Sequence, residues 1–195
     1  MSPPPPLVLA STSRYRAELL TRLGLPFEAE PPGVPELTVR GELPMDRALR
    51  LALEKARAVA LRRPDAVVIG SDQVAFAADQ VLEKPGDAAH TRAQLARLSG
   101  TTARFYTACA VLASQSGVRL AHLDTTVVTF RALSAAEIER YVALDEPYDC
   151  AGGFKAERLG IALLESIDSS DPTALVGLPL IWLAGALRSA GYRLP

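Results

Sequence analysis

The sequence predicts a single α/β domain, residues 1–195, in which helices flank a sheet of buried strands. Short apolar runs rich in β-branched residues, such as residues 67–69, predict the strands. Longer segments with apolar residues at helical spacing alternate with them, and residues 45–61 are the clearest example. A length of 195 residues is enough for one domain with two lobes and a core of ordinary size.

The first elements are a tail, a strand and a helix. Residues 1–6 contain four consecutive prolines, and we expect them to form a flexible tail. Residues 7–10 are apolar and predict a buried strand. Residues 14–23 predict a helix that ends at Gly24, a residue type typical of helix C-termini.

The turn between this strand and helix carries hydroxyl groups and cations. Ser11 and Ser13 lie in the turn, and Arg14 and Arg16 lie in the first turn of the helix. Cations are unfavourable beside the positive end of a helix dipole unless an anion binds there. The conflict favours an anion site. In the alternative, Ser11 or Ser13 caps the helix and the arginines are solvated.

A proline-rich loop and a long helix follow. Residues 26–44 predict an irregular loop that contains Glu36, and long loops in compact domains often contribute to sites. Residues 45–61 predict a helix with Lys55 at the edge of its apolar face. Most such lysines extend their charge into solvent, but a stem held by the core can direct the ammonium into a neighbouring cleft.

The central segment joins a strand to an acid and a lysine. We expect a buried strand at residues 67–70 to deliver Asp72 to a loop at its carboxyl end, where ligands bind in open α/β sheets. Lys84 follows a dozen residues later and is stiffened by Pro85. Such an acid can hold a metal or accept a proton from water, while a lysine neutralises phosphate oxygens. The alternative is an ordinary salt bridge at the end of a strand.

The second half of the chain predicts further strands and helices. These are a helix capped by Asp87 and ending at Leu98, strands at 103–113 and 121–130, a helix at 134–144, a strand at 161–165 and a last helix from Leu178. The glycines of residues 148–155 would let backbone approach a ligand closely, or they form a plain tight turn.

Composition excludes several classes of protein. A net charge of −1 gives no general attraction to nucleic acid or membranes, so any anion site must be local. No apolar run approaches a membrane span, and the N-terminus lacks the features of a secretion signal. We therefore expect a cytoplasmic protein. Cys109 and Cys150 have apolar neighbours and predict buried free thiols, and two histidines argue against a histidine-rich metal site.

Seven short motifs occur together along the chain. They are Leu-Ala-Ser-Thr-Ser at 9–13 with Arg16, Glu-Lys-Ala at 54–56, Ile-Gly-Ser-Asp at 69–72, Lys-Pro at 84–85, Leu-Ser-Gly at 98–100, Tyr-Thr at 106–107 and Val-Gly-Leu-Pro-Leu at 176–180. In these motifs the chain resembles the Maf family of nucleoside triphosphate pyrophosphatases over residues 7–191. The resemblance implies hydrolysis of a nucleoside triphosphate to the monophosphate and diphosphate with a divalent metal. It also implies a Maf/ITPase-like, elongated mixed β-sheet flanked by helices, with two lobes around a central cleft, and commonly a homodimer.

Details of the motifs point to one branch of the family. Gln73 follows Asp72 where the branch acting on dTTP and UTP has threonine. Residues 105–107 and 150–155 are similar to the branch that acts on 7-methyl-GTP. A methylated guanine is cationic and stacks well on aromatic rings, while an amide such as Gln73 can hydrogen-bond a base edge. The alternative substrates are dTTP and UTP.

The resemblance also implies roles for individual residues. We expect Asp72 to act as general base or metal ligand, with Glu36 as a second acid at an Mg²⁺ or Mn²⁺ ion. Pro35 stands where the family commonly has another acid, so a metal role in this loop depends on Glu36 alone. The expected phosphate-binding residues are Ser11, Ser13, Arg16, Lys55 and Lys84.

Two functions from other classes remain as alternatives. A nucleotide-binding regulator of septum formation would need the phosphate-binding residues but not Asp72, and the complete charged set favours an enzyme. A nucleic-acid binder is disfavoured by the small net charge and by an aromatic content of 6%.

Overall fold

The computed structural model describes residues 4–195, and within them an open, mixed sheet of seven strands is flanked by five α-helices. The strands are β1 (Leu7–Ala10), β2 (Glu28–Ala29), β3 (Val67–Ala77), β4 (Gln80–Leu82), β5 (Thr102–Ala113), β6 (Val118–Phe130) and β7 (Leu164–Asp168). The helices are α1 (Arg14–Thr21), α2 (Pro44–Arg62), α3 (Ala88–Leu98), α4 (Ala135–Asp145) and α5 (Leu180–Ser189). The predicted α/β class is confirmed.

The strand order is β2-β1-β3-β5-β6-β7, and β4 pairs with β3 outside this path. Strand β1 runs parallel to both β2 and β3, whereas β4 is antiparallel to β3 and β7 is antiparallel to β6. The parallel pairs explain the continuous apolar runs of β1 and β3, because strands covered on both faces lack a polar face.

The described chain forms two compact units. One comprises residues 4–73, 107–124 and 171–195, and the other comprises residues 74–106 and 125–170. The long strands β3, β5 and β6 contribute residues to both units. Each described helix is too short or too polar to cross a bilayer.

The first unit has an apolar core on each face of its strands. On one face α1 and α5 pack against β1, β3 and β5 through residues such as Leu9, Leu20 and Leu183. On the other face α2 packs through Ala56 and Val59. Part of the predicted tail, residues 1–3, lies outside the described residues. The Pro5 and Pro6 carbonyls accept hydrogen bonds from Tyr192 and Val67.

Helix α2 approaches β3 unusually closely at Gly70. A Cβ atom on Gly70 would lie 2.3 Å from the Ala52 carbonyl oxygen and 2.6 Å from the Ala56 nitrogen. Only a residue without a side chain permits this contact. The glycine therefore brings the middle of α2 against the middle of β3.

The second unit holds the glycine-containing segment of residues 148–155. Phe154 packs edge-on against Phe105 and Phe130, with ring centroids 5.7 Å and 5.1 Å apart. Gly152 and Gly153 have φ of 82° and 68°, and a Cβ on Gly152 would lie 3.2 Å from the Phe105 ring. The segment is therefore a closely packed turn, which was the second of the two predictions for these residues.

Two predicted placements are wrong. Asp72 lies inside β3 and not in a loop, because the apolar pattern continues and the strand runs on to Ala77. The strand predicted at 161–165 begins only at Leu164, after a 3₁₀ turn at Leu159–Leu163. Gly160 explains this turn, since its backbone packs so tightly that an added Cβ would lie 2.5 Å from the Lys155 oxygen.

Candidate functional site

Lys55 joins two acids in the first unit. Its side chain lies in the α2 face that packs on β3, and only 6% of the residue is exposed. The ammonium donates to Asp72 Oδ1 at 2.6 Å and also to Glu36 Oε1. The close approach at Gly70 accounts for this position, because Lys55 precedes Ala56 and Asp72 follows two residues after the glycine. The structure therefore brings three predicted site residues together.

Asp72 is a buried carboxylate with an unusual electrostatic environment. Its relative exposure is 5%, and this burial raises the pKa of Asp72 above the usual range of an aspartate. The positive charges of Lys55 and Arg16 oppose the shift, and the negative charge of Glu36 adds to it. An acid with a raised pKa is a stronger proton acceptor once ionised, which suits general-base chemistry.

Arg16 contributes a second cation to the same unit. Its Nε donates to the Gly177 carbonyl at 3.2 Å. Burial lowers the pKa of the Arg16 guanidinium, while the carboxylates of Asp72 and Glu36 oppose this change. An arginine keeps its proton in proteins, so Arg16 remains a fixed positive charge.

Gly177 holds this part of the site together, a role that was not predicted from the sequence. Its carbonyl accepts from Arg16 and also from the Ser71 hydroxyl at 2.8 Å. The Gly177 φ is +126°, a conformation that favours glycine. An added Cβ would lie 3.3 Å from Arg16 Cγ. The signal was present in the Val-Gly-Leu-Pro-Leu motif, but nothing in the sequence identified the carbonyl as the contact.

Ser11 and Ser13 form local backbone contacts. Ser13 is the N-cap of α1, and its hydroxyl accepts from the Arg16 backbone nitrogen at 3.4 Å. The Ser11 hydroxyl accepts from the Ser13 nitrogen at 3.1 Å. Arg14 lies over the Tyr15 ring, 4.8 Å from its centroid. The cap expected in one alternative is therefore observed, but Arg16 is not solvated as that alternative required, because its guanidinium is buried and donates to Gly177. Phosphate binding by these serines stays a prediction.

Gln73 has an amide fixed in one orientation. Its Nε2 lies 2.9 Å from Thr107 Oγ1, 3.1 Å from the Ala174 oxygen and 3.0 Å from the Leu175 oxygen. Two backbone carbonyls can only accept, so the nitrogen must face them. The Gln73 Oε1 is then the atom available to accept a hydrogen bond from a ligand. A role for Gln73 in base choice stays a prediction.

Lys84 belongs to the second unit and is exposed. It follows β4, on a segment whose Gly86 nitrogen donates to the Tyr148 carbonyl at 2.9 Å. No side-chain ion pair or hydrogen bond of Lys84 occurs within residues 4–195. Its ammonium is free to bind an anion, and its predicted contact with phosphate stays a prediction.

The two acids on Lys55 are the predicted metal ligands. The described part of the chain contains no group of three or more His, Cys, Asp or Glu side chains placed to hold an ion. Magnesium at nucleotide sites is nevertheless often bound by one or two carboxylates together with phosphate oxygens. Asp72 and Glu36 supply two carboxylates at one point, so the donor set fits an ion of this kind.

The protein has an α/β fold with a mixed sheet. Its central strand, β3, carries a buried acid that lies beside a lysine and within the field of an arginine, and these charges are suited to a phosphate-containing ligand. The chain belongs to the family described as Maf-like protein, whose family model matches residues 6–190. The resemblance found in the motifs is thereby confirmed.

Three relatives of similar length carry the same name. A protein of Xanthomonas oryzae pv. oryzae (strain MAFF 311018) named 7-methyl-GTP pyrophosphatase is 54% identical over 191 residues, which are 98% of this chain and 100% of that protein. A protein of Polaromonas sp. (strain JS666 / ATCC BAA-500) with the same name is 55% identical over 97% of this chain and 86% of its own length. Another, from Aromatoleum aromaticum, is 54% identical over 97% of both chains.

Proposed function

We propose that this chain is a nucleoside triphosphate pyrophosphatase that hydrolyses 7-methyl-GTP to 7-methyl-GMP and diphosphate. The observation that carries the proposal is the buried Asp72, held at 2.6 Å by Lys55 within the field of Arg16. A buried acid with a raised pKa beside two cations suits a reaction in which water attacks a polyanion. The names of the relatives supply the substrate.

The reaction breaks one phosphoanhydride bond. Water attacks the α-phosphorus, and the bond from that phosphorus to the oxygen bridging the β-phosphate breaks. The diphosphate leaves with the electron pair, and Asp72 accepts the proton of the attacking water. Burial of Asp72 favours this transfer, because it brings the pKa of the base closer to neutral pH.

Cations neutralise the charge that develops on the phosphate oxygens. Lys55 and Arg16 lie in the same unit as the base, and each carries an N–H donor suited to phosphate. Lys84 is exposed and its ammonium is unpaired within residues 4–195, so it is available to bind a phosphate oxygen. Ser11, Ser13 and the first amides of α1 would bind a further phosphate oxygen.

Asp72 and Glu36 would hold a divalent Mg²⁺ or Mn²⁺ ion, which when bound withdraws charge from the phosphate oxygens. The charge balance of the site supports this proposal. Lys55 and Arg16 are offset by Asp72 and Glu36, so the four side chains together are neutral. A neutral site attracts a bare polyphosphate weakly, and a cation that accompanies the substrate removes this difficulty.

Gln73 supports guanine as the base. Its Nε2 is bound by backbone carbonyls, so its Oε1 presents an acceptor. Guanine offers an amino donor that uracil and thymine lack. Uracil and thymine offer such an acceptor only their N3–H, whereas guanine offers the amino group beside its N1–H, so the orientation of Gln73 is compatible with guanine.

Hydrolysis of a nucleotide panel tests the proposal. The purified protein is incubated with 7-methyl-GTP, GTP, dTTP, UTP and CTP with Mg²⁺ or Mn²⁺, and the products are separated by chromatography. We expect 7-methyl-GMP and diphosphate to form well ahead of the other products. Asp72→Asn should lower kcat by about 10²–10⁴-fold, the range for loss of a general base. The matched control Asp65→Asn, at an exposed turn residue, should be as active as wild type.

Three results would contradict parts of the proposal. Faster hydrolysis of dTTP or UTP would refute the choice of base. Full activity in a folded Asp72→Asn protein would refute the catalytic assignment. Nucleotide binding without any hydrolysis would favour the regulator of septum formation.

A homodimer and a cytoplasmic location, both expected from the family resemblance and the sequence, are part of the same proposal. Light scattering after gel filtration tests the first, because a mass of twice 20.8 kDa is expected. Fractionation of cells that express the protein tests the second.

A further inference from the structure

Glu36 is the member of the charged site that lies outside the helices and strands. It lies in the irregular stretch between β2 and α2, and its side chain is 55% exposed. Asp72 and Lys55, in contrast, project from the middle of a strand and of a helix. A carboxylate on such a loop keeps one position only when other contacts fix the loop.

Arg50 of α2 supplies these contacts. Its Nε donates to Glu42 Oε1 at 2.6 Å and its Nη2 donates to Glu42 Oε2 at 2.7 Å, a two-pronged pair that fixes geometry as well as distance. The same Nη2 donates to the Leu37 carbonyl at 3.1 Å. Leu37 directly follows Glu36, so this bond fixes the backbone beside the acid.

The contacts of Arg50 are partly shielded from water. The Arg50 and Glu42 side chains are 26% and 11% exposed, which makes their pairing stronger than an exposed surface bridge. The third nitrogen of Arg50, Nη1, donates to Oε2 of Glu54, one helical turn further along α2, at 3.3 Å. Arg50 is therefore held from its own helix while it holds the loop.

A single helix thus supports both sides of the charged cluster. Lys55 and Arg50 are five residues apart on α2, and the other end of the loop is also bound to this helix. There Arg62 donates to Glu30 at 2.7 Å and to the Pro31 carbonyl at 2.8 Å. The stretch that carries Glu36 is consequently fixed at both ends to the element that carries Lys55.

We propose that Arg50, together with Glu42, is a positioning pair that holds Glu36 against Lys55 and Asp72 in the arrangement the reaction requires. The inference rests on the proposed function, since it assigns Glu36 a part in turnover. Arg50 itself touches neither substrate nor the reacting atoms. A purely structural role would make the same contacts, but its loss would affect activity independently of Glu36.

A double-mutant cycle separates these two roles. The variants are Arg50→Gln, Glu36→Gln and the double variant, each assayed for kcat and KM with 7-methyl-GTP. We expect Arg50→Gln to lower kcat about 10-fold and Glu36→Gln about 100-fold, because displaced catalytic groups cost up to about 10²-fold. The double variant should match Glu36→Gln alone, since coupled residues are not additive. Glu42→Gln should lower kcat as Arg50→Gln does, because it breaks the same pair. It is the smaller substitution, so it tests the inference if Arg50→Gln folds poorly.

The matched control is Arg57→Gln on the same helix. Arg57 is exposed, and its side chain forms no hydrogen bond or ion pair within the described chain. Its kcat should equal that of wild type. Amide hydrogen exchange gives a readout that does not depend on activity. Residues 36–42 should exchange faster in Arg50→Gln and Glu42→Gln and at the wild-type rate in Arg57→Gln.

Additive losses in the double variant, or unchanged exchange of residues 36–42 in Arg50→Gln, would overturn the inference. Failure of the proposed function would be visible separately. In that case wild-type protein would release no 7-methyl-GMP, or Glu36→Gln and Asp72→Asn would both keep wild-type kcat, whatever the exchange experiment shows.

Discussion

The contact between α2 and Gly70 gives a direct test of how the charged site is assembled. In Gly70→Ala the new Cβ would lie 2.3 Å from the Ala52 oxygen, 2.6 Å from the Ala56 nitrogen and 2.8 Å from the Ala56 Cβ. Non-bonded carbon atoms pack at roughly 3.5–4.0 Å, so α2 and β3 must separate by about 1 Å. All three neighbours belong to the helix itself, and none of them is the movable end of a long side chain.

The cost of this separation follows from the packing of the core. An extra methyl group in a well-packed core destabilises by about 1–3 kcal/mol. In a protein of this size that loss lowers Tm by roughly 2–12 °C. Activity should fall further than stability alone implies. A shift of about 1 Å would stretch the 2.6 Å contact between Lys55 and Asp72, and such a misplacement can lower kcat about 100-fold.

Thermal unfolding and steady-state hydrolysis of 7-methyl-GTP measure the two effects. The matched control is Gly185→Ala in α5, where an added Cβ meets no atom within 4 Å. Because alanine favours helix by about 0.8–1.0 kcal/mol over glycine, this control should raise Tm and leave kcat unchanged. A Gly70→Ala protein with wild-type Tm and kcat would show that the close approach does not position Lys55.

Three further predictions concern individual groups. Burial raises the folded-state pKa of Asp72, so the Tm of wild type should fall as pH rises from about 3.9, the ordinary pKa of an aspartate, through the raised pKa. This part of the fall should be missing in Asp72→Asn. The same pH dependence of Tm in both proteins would contradict the raised pKa. Ser134 caps α4 and forms a capping box with Glu137. Ser134→Ala should therefore lower the free energy of unfolding, measured by urea titration, by about 1 kcal/mol. No change would show that the cap is dispensable. Burial raises the pKa of Cys109 to about 12, whereas Cys150 is half-buried. A thiol reagent at pH 8 should therefore label Cys150 alone in the folded protein. Labelling of Cys109 would contradict its burial.

Local chemistry made much of the fold predictable. The capping box at Ser134, the Asp87 cap and the boundaries of α2 follow from residues within a few positions of each other, and the structure confirms them within one or two residues. Cys150, by contrast, was predicted to be buried and is half-buried, because apolar neighbours in sequence do not establish what packs over a turn. Lys55 was predicted at the edge of an apolar face, with its ammonium either in solvent or directed into a neighbouring cleft, and its two acid partners were not predicted.

The contacts that assemble the candidate site depend on distant parts of the chain and on residues that carry no chemistry of their own. Titratable side chains draw attention to Asp72, Glu36 and Lys55 in any sequence, because their charges are suited to catalysis. Gly70 admits α2 because it has no side chain, and Arg50, by our proposal, holds the loop of Glu36 through Glu42 and Leu37. A glycine in a strand and an arginine on a helix have many ordinary explanations, so only their packing in three dimensions identifies them. The residues that perform the proposed chemistry could therefore be predicted from their type, whereas those that position them required the fold.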